Sequence, residues 1–411
     1  MITTQGDRLP AYALFGAMLA AAGLPIYIHA PKFYADEYGV GLATLGLVLS
    51  ALRLVDVVQD PLLGWLSARL GAFRRAAVAI GAGIMALAMV LLFAVTPPIA
   101  PLAWFALSLT LLFSGYSFLT INFYAEGVAK AERLGQTGHV RLAAWRETGA
   151  LVGVSMAAVA PTVLAGSGAS PYAVFAGIFA VLVVLAVLAM GREWGGDGRV
   201  PSGGGLRVVL RDRIARHLLM VAFFNAAPVA VSSSLFLFFV ESRLEAAGWE
   251  GPLLLLFFLA AAAAAPGWGW LAARYGARPV LLLAMVLSIV AFAFTAMLGS
   301  GDALPFAVIC LASGAALGAD MTLLPAIFAG RMAQIAPEAS EAFGLWSFVT
   351  KLTLALAAVL LLPVLEFQGF QSGGANTDTA LWALTALYAG VPCLLKLVAI
   401  TAFLATPKLE S

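Results

Sequence analysis

The chain has 411 residues, 62% of them hydrophobic and only 11% charged, with a mean hydropathy of +0.98 and a net charge of +2. Soluble chains average nearer ~25% charged residues, and a core of ordinary size cannot hide this much apolar surface, so lipid must solvate much of it. The small net charge excludes a basic nucleic-acid-binding domain, and two cysteines, Cys310 and Cys393, with three scattered histidines exclude a disulfide framework and a Cys-rich metal site.

A helix needs ~20 apolar residues to cross ~30 Å of hydrocarbon. Read in chain order and punctuated at charges, Gly and Pro, the sequence predicts twelve such runs: 9–30, 41–68, 76–96, 101–127, 142–164, 172–190, 215–240, 252–272, 279–298, 304–328, 342–365 and 380–404. The first run follows a short polar start and passes through Gly23, Pro25 and His29, so it reads as a normal span rather than a cleavable signal peptide. With the N-terminus taken as cytoplasmic, seventeen of the 23 Lys and Arg, among them Arg199 and Lys408, fall in cytoplasmic segments. Only Lys32 and Arg243 fall outside, and Arg53, Arg146, Lys351 and Lys396 lie within spans. Both termini inside and an even number of spans are therefore consistent. The Arg- and Ala-rich composition suggests a bacterial chain, hence an inner-membrane location. The Gly-rich connection 191–213 reads as a cytoplasmic linker between two six-span halves, residues 1–190 and 214–411.

The halves share a signature. Gly64-Trp-Leu-Ser-Ala-Arg69-Leu-Gly71-Ala-Phe-Arg-Arg75 follows the second span, and Gly269-Trp-Leu-Ala-Ala-Arg274-Tyr-Gly276-Ala-Arg278 follows the eighth, 205 residues on. Duplication of a six-helix unit explains this. The frame resembles the cytoplasmic loop motif of the major facilitator superfamily, with Ala68 and Ala273 where that motif has Asp. The resemblance implies an all-α polytopic fold of twelve transmembrane helices in two pseudo-symmetric six-helix bundles.

A charge at mid-membrane costs at least ~2.5–3.5 kcal/mol, so such residues usually face a cavity. The second span carries Arg53, Asp56 and Asp60 at helical spacing, all on one face. Two carboxylates and one guanidinium leave a net negative cluster that a cation or a proton would balance, which is what a coupling site requires; a plain buried ion pair would leave the second Asp unexplained. Pro61 lacks an N–H and favours a kink. The eleventh span carries Lys351, for which Asp56 or Asp60 is the expected partner, with Trp346, Ser347 and Thr350 within a turn or so of it. Asp320 in the tenth span is a gate or coupling candidate. Lys396 in the twelfth reads equally as a structural or a functional partner. Arg146 and Glu147 lie one turn into the fifth span, where snorkelling is easy.

Arg53-Leu-Val-Asp56-Val-Val-Gln-Asp60-Pro-Leu-Leu-Gly64 resembles, more narrowly, the glycoside–pentoside–hexuronide:cation symporters, the melibiose-carrier family. Trp346-Ser-Phe-Val-Thr-Lys351 is similar to that family's eleventh-helix lysine segment, Tyr34-Ala-Asp-Glu-Tyr-Gly39 to its first external loop and Leu142-Ala-Ala-Trp-Arg146 to its fifth-helix arginine segment. The resemblance implies cation binding at Asp56 and Asp60 and cavity roles for Lys351 and Arg146. The sequence departs from the family in having no acid in the first span between Asp7 and Asp36, and in having Asn122 where the family has a fourth-helix acid near the cation site. Loss of that carboxylate tilts the coupling ion toward H⁺ over Na⁺. The family also resembles eukaryotic lysophospholipid carriers. The expected function is cation-coupled symport of a small solute, a sugar or glycoside, by alternating access. The alternatives are a proton-coupled exporter and a lysolipid or amphipath carrier. No enzyme, no metal and no cofactor beyond the coupling ion are expected. The partners are a small-molecule substrate and membrane lipid, with no nucleic acid, and the chain is expected to be a monomer.

Overall fold

The computed structural model describes residues 8–135, 137–164, 170–194, 205–336, 339–371 and 376–407, and no strand occurs among them. Arg199, Lys408 and residues 195–204 of the expected linker lie outside the described residues. The chain forms two compact units. One comprises Met1–Leu206 with Ala336–Ser347, the other Arg207–Ile335 with Phe348–Ser411.

The first unit holds α1 (Leu9–Ala21), α2 (Leu24–Tyr38), α3 (Leu42–Arg69), α4 (Arg74–Phe93), α5 (Pro101–Arg133), α6 (Gly138–Val163) and α7 (Pro171–Met190). A short helix α8 (Gly205–Arg211) ends the connection, which is thus partly helical rather than wholly irregular. The second unit holds α9 (Arg213–Phe238), prolonged by a π turn over Phe239–Arg243, then α10 (Glu250–Tyr275), α11 (Ala277–Ala293) and α12 (Ala303–Ile335). Most of α13 (Ser340–Phe367) follows, then α14 (Asp378–Thr385) joined to α15 (Val391–Ala405) by a second π turn. With α1/α2 and α14/α15 each taken as one interrupted pass, the helices among the described residues make twelve passes, at the places expected from the apolar runs.

Among the described residues, nine helical runs are long and apolar enough to cross a membrane. The remaining passes are α1/α2, α3 and α6. The last two are long enough, but α3 carries Arg53, Asp56, Asp60 and Arg69, and α6 carries Arg141, Arg146 and Glu147. The first pass departs from the continuous run expected. It breaks at Gly23, whose φ of −90° and ψ of −117° are not helical, and Pro25, in the first turn of α2, offers no N–H to close a turn across the break. By contrast α3 runs unbroken through Pro61.

Lipid supplies no hydrophobic force between helices, so close packing depends on small residues. In the first unit α1 crosses α6 where Gly149 and Gly153 lie directly on the carbonyls of Ala13 and Ala17. In the second, α10 crosses α12 where Gly314 and Gly318 meet the carbonyls of Phe257 and Ala261. A Cβ at any of these glycines would strike backbone. The neighbours repeat between units: α3 and α4 pack on α5, and α4 on α7; α10 and α11 pack on α12, and α11 on α15.

Asp212 caps α9, accepting from the Ala215 N–H at 2.7 Å, and receives two hydrogen bonds from the Arg331 guanidinium at the far end of α12. Burial pushes the Asp212 carboxyl up, but the bonds from Arg331 and from the Ala215 and Ile214 amides outweigh it and hold it below the ordinary carboxylate range.

Candidate functional site

The buried stripe of α3 runs through Leu45, Leu52, Asp56, Asp60, Gly64 and Ser67, while Leu47, Leu54, Val58 and Leu62 point outward. Helical spacing thus puts the polar residues inward and the aliphatic ones toward lipid, the reverse of a soluble helix. Asp60 is 0% exposed and Asp56 6%; Arg53 is half-buried. The two acids thus lie on the buried face of α3, with Arg53 at its edge.

Each carboxylate has a neutral donor. The Gln59 amide donates to Asp56 Oδ1 at 2.6 Å, and Ser114 of α5 donates to Gln59 Oε1 at 3.0 Å. The Ser347 hydroxyl donates to Asp60 Oδ2. Ser347 reaches it because the start of α13 lies against α3 at a glycine pair: a Cβ on Gly64 would sit 2.9 Å from Ser340 O, and one on Gly344 2.9 Å from Asp60 O. Gly64 of the loop motif is therefore also what lets α13 approach Asp60. Asn122 lies on the same α3–α5 seam, fully buried, but accepts from Ser67 at 2.6 Å and donates to Phe118 O. Ser67 is seven residues, about two turns, along α3 from Asp60. Asn122 thus extends the seam through Ser67.

Arg146 does not snorkel. It is 5% exposed, donates from Nε to Glu147 Oε1 at 2.8 Å and lies with Cζ 3.6 Å from the centroid of the Tyr124 ring. Tyr124 donates to the same Glu147 oxygen at 2.7 Å, and its ring meets Phe343 near the start of α13, centroids 5.3 Å apart. Arg146 Nη2 is buried with no hydrogen-bond partner among the described residues. The expected cavity arginine is thus a buried ion-paired and stacked one with a spare donor. The cause is the α6 face on which it falls, packed toward α5 and α1 rather than the membrane edge.

Trp346 is half-buried in the same stretch of α13 as Ser347. Thr350 and Lys351 are half-buried and lie in the part of α13 that belongs to the second unit, where Thr350 O accepts from Thr353 at 2.6 Å. Asp320 is paired inside the second unit with Lys396. Of the loop-motif residues, Arg69 stacks 3.8 Å over Trp65, and Arg274 lies 5.9 Å from Trp270 and 5.6 Å from Tyr275. Gly71 and Gly276 take φ values of +47° and +90°, which glycine adopts without strain. Gly269 is buried in α10 and Arg75 is exposed. Arg278 closes the end of α15 by donating to the carbonyls of Phe403, Leu404 and Thr406.

Gln59, Ser67, Ser114 and Tyr124 join the site without having been singled out from sequence. Their signal was periodic: Gln59 is three residues from Asp56, and Ser114 and Asn122 are eight apart, on one face of α5. Two buried carboxylates supported by hydroxyl and amide groups, on a helix whose other face is aliphatic and exposed, concentrate negative charge at one place. Among the described residues no cluster of three or more His, Cys, Asp or Glu that could hold a metal ion is present.

Comparison with known proteins agrees with this architecture. The family model described as MFS/sugar transport protein matches residues 10–407. A search of curated proteins finds no match. Among solved structures, the E. coli fucose:proton symporter superposes with a TM-score of 0.71 at 17% identity, covering 98% of this chain and 100% of that one. A bacterial homologue of the iron transporter ferroportin, in an outward-facing state, superposes with a TM-score of 0.69 at 14% identity, covering 96% of this chain and 98% of that one. At these identities the likeness is one of fold.

Proposed function

The chain belongs to the MFS/sugar transport protein family, a family of membrane transporters and not of enzymes, and from that premise we propose that it is a cation-coupled symporter of a small polar solute, a sugar or glycoside, of the melibiose-carrier type. The observation that carries this reading is the pair of buried carboxylates on one face of α3, Asp56 with Gln59 and Asp60 with Ser347. Binding of H⁺ or Na⁺ there removes one negative charge from a low-dielectric seam. That changes the electrostatic balance for Arg53 and Arg146 in the same unit, both candidates for contact with a polar substrate, as Lys351 is in the other unit. Each charge carried inward is worth about 2.3 kcal/mol per 100 mV of membrane potential, and this drives accumulation by alternating access. A single protonatable carboxyl suffices for H⁺, whereas Na⁺ takes several oxygen ligands; Asn122 in place of an acid favours H⁺. The arrangement proposed is a monomer in a bacterial inner membrane with both termini cytoplasmic.

Uptake by the purified protein in proteoliposomes tests this. A proton or sodium gradient is imposed against a panel of radiolabelled sugars, with a lysophospholipid in parallel. Accumulation of a sugar that is lost in Asp56→Asn and Asp60→Asn supports the reading and names the ion. Accumulation that persists in both variants overturns the coupling site. Lipid movement, or substrate-stimulated proton efflux without sugar uptake, replaces the symporter with the amphipath carrier or the exporter.

A further inference from the structure

The second unit holds a buried charged group that the α3 seam does not use. Lys396 of α15 is 3% exposed and donates from Nζ to Asn225 Oδ1 of α9 at 2.6 Å and to Asp320 Oδ2 of α12. Asp320 is 8% exposed. Its second oxygen, Oδ1, is buried with no hydrogen-bond partner among the described residues. A carboxylate oxygen left so costs about 1–3 kcal/mol or more; pairing with Lys396 occupies Oδ2 and leaves Oδ1 unaccounted for.

Asp320 and Lys396 both line a partly open cleft of about 40 Å³ between α9, α10, α11, α12 and α15. Its other polar groups are the hydroxyls of Ser232, Ser288 and Ser313. Two of these already donate to their own helices, Ser232 to Val229 O and Ser313 to Ile309 O, so they offer acceptor lone pairs to the cleft. At about 10–15 Å³ of such space per water, the cleft admits a few water molecules beside its polar groups. Among the described residues, the titratable groups on its wall are Asp320, Lys396 and the Cys393 thiol; α9, α10 and α11 contribute only serine, proline, aromatic and aliphatic side chains. The Lys396 ammonium beside the carboxylate makes the place hostile to a metal cation, whereas a proton needs only the lone pair on Oδ1.

We infer that the second unit carries its own proton-binding site, with Asp320 as the acceptor reached through the cleft and Lys396 and Asn225 as its positioning partners. A hydronium in the cleft gives its proton to Oδ1. One O–H bond forms, one water is released, the carboxyl goes from −1 to 0, and the Asp320–Lys396 pair goes from neutral to +1. Lys396 then keeps Asn225 but loses its counter-charge. The site shares no residue with the Asp56/Asp60 seam and stands or falls apart from it.

The test is an infrared difference titration of the full chain in lipid, with no substrate present, reading the C=O stretch of protonated carboxyl groups. The wild type is expected to show a titrating band that Asp320→Asn deletes and that Asp56→Asn and Asp60→Asn leave in place. Lys396→Met is expected to change the pH dependence of that band and of no other. Should Asp320→Asn misfold, the double variant Asp320→Asn/Lys396→Met removes both charges together and serves in its place. A spectrum unchanged in the Asp320 variants, or a band that only the α3 variants delete, overturns the inference.

Discussion

The second pass of each unit is built on one plan and put to opposite uses. Shifted by the 205 residues that separate the loop signatures, Pro61, Gly64 and Trp65 of α3 fall on Pro266, Gly269 and Trp270 of α10. The same shift places Arg53, Asp56 and Asp60 on Phe258, Ala261 and Ala265. The inward positions are buried in both: Asp56 and Asp60 are 6% and 0% exposed, Ala261 and Ala265 both 0%. In α10 the small side chains bring the Ala261 carbonyl within 2.6 Å of a Cβ placed on Gly318 of α12. In α3 the same face holds carboxylates at a looser seam, where Gln59, Ser114, Ser67 and Asn122 satisfy polar groups across to α5. Burial alone does not mark a working face. What marks it is a buried face that accepts the desolvation of charge when small apolar residues would serve the packing better.

The comparison breaks most sharply if the carboxylates of α3 are dispensable. Asp56→Asn or Asp60→Asn is expected to reduce gradient-driven accumulation to simple equilibration, while Ala261→Ser and Ala265→Ser in α10 retain it; proteoliposome uptake decides. Moving the charge tests the converse. Ala265→Asp places an acid where no Gln or Ser partner waits, at a cost of about 2.5–3.5 kcal/mol, and is expected to show as reduced membrane insertion and a lowered melting temperature. A wild-type melting curve for that variant would mean that α10 offers the same polar support as α3.

Both units depend on glycine at their tightest crossings. Gly153→Val on α6 and Gly318→Val on α12 are expected to destabilise by about 1–3 kcal/mol each, read by thermal denaturation in detergent. A cost at only one of them would show that one crossing can relax. The smallest effect belongs outside the membrane. Asp212→Asn weakens the Arg331 contact at a partly exposed pair and is expected to cost no more than about 1 kcal/mol. Because the folded carboxyl is held below its ordinary value near ~3.9, its contribution is present above that pH and is lost as pH falls through the folded value. Acid melting curves of wild type and Asp212→Asn should therefore draw together as pH falls below about 4 and meet only below the folded value.

The reach of sequence reasoning differs between α3 and the other charged helices. In α3 the acids are four residues apart, so helical period alone put them on one face, and the cost of facing lipid turned that face inward. Neighbours along a helix do not face each other, so nothing in the spacing of Arg146 and Glu147 foretold that both would converge on Tyr124 of α5. Asp320 and Lys396 are 76 positions apart and meet only because α12 and α15 both border the same cleft. The glycines at 149, 153, 314 and 318 carried a legible small-xxx-small spacing, but which helix each would receive was not written locally.

Twelve passes, the duplicated plan and the inward face of α3 followed from the sequence by itself, because lipid forces the backbone into helices and penalises charge on the wrong side of them. The break of the first pass at Gly23, the Ser347–Asp60 contact, the burial of Arg146 and the Asp320–Lys396 pair were decided only in the tertiary structure. Helical period determines which residues share a face, and only the crossing of two helices determines which faces meet.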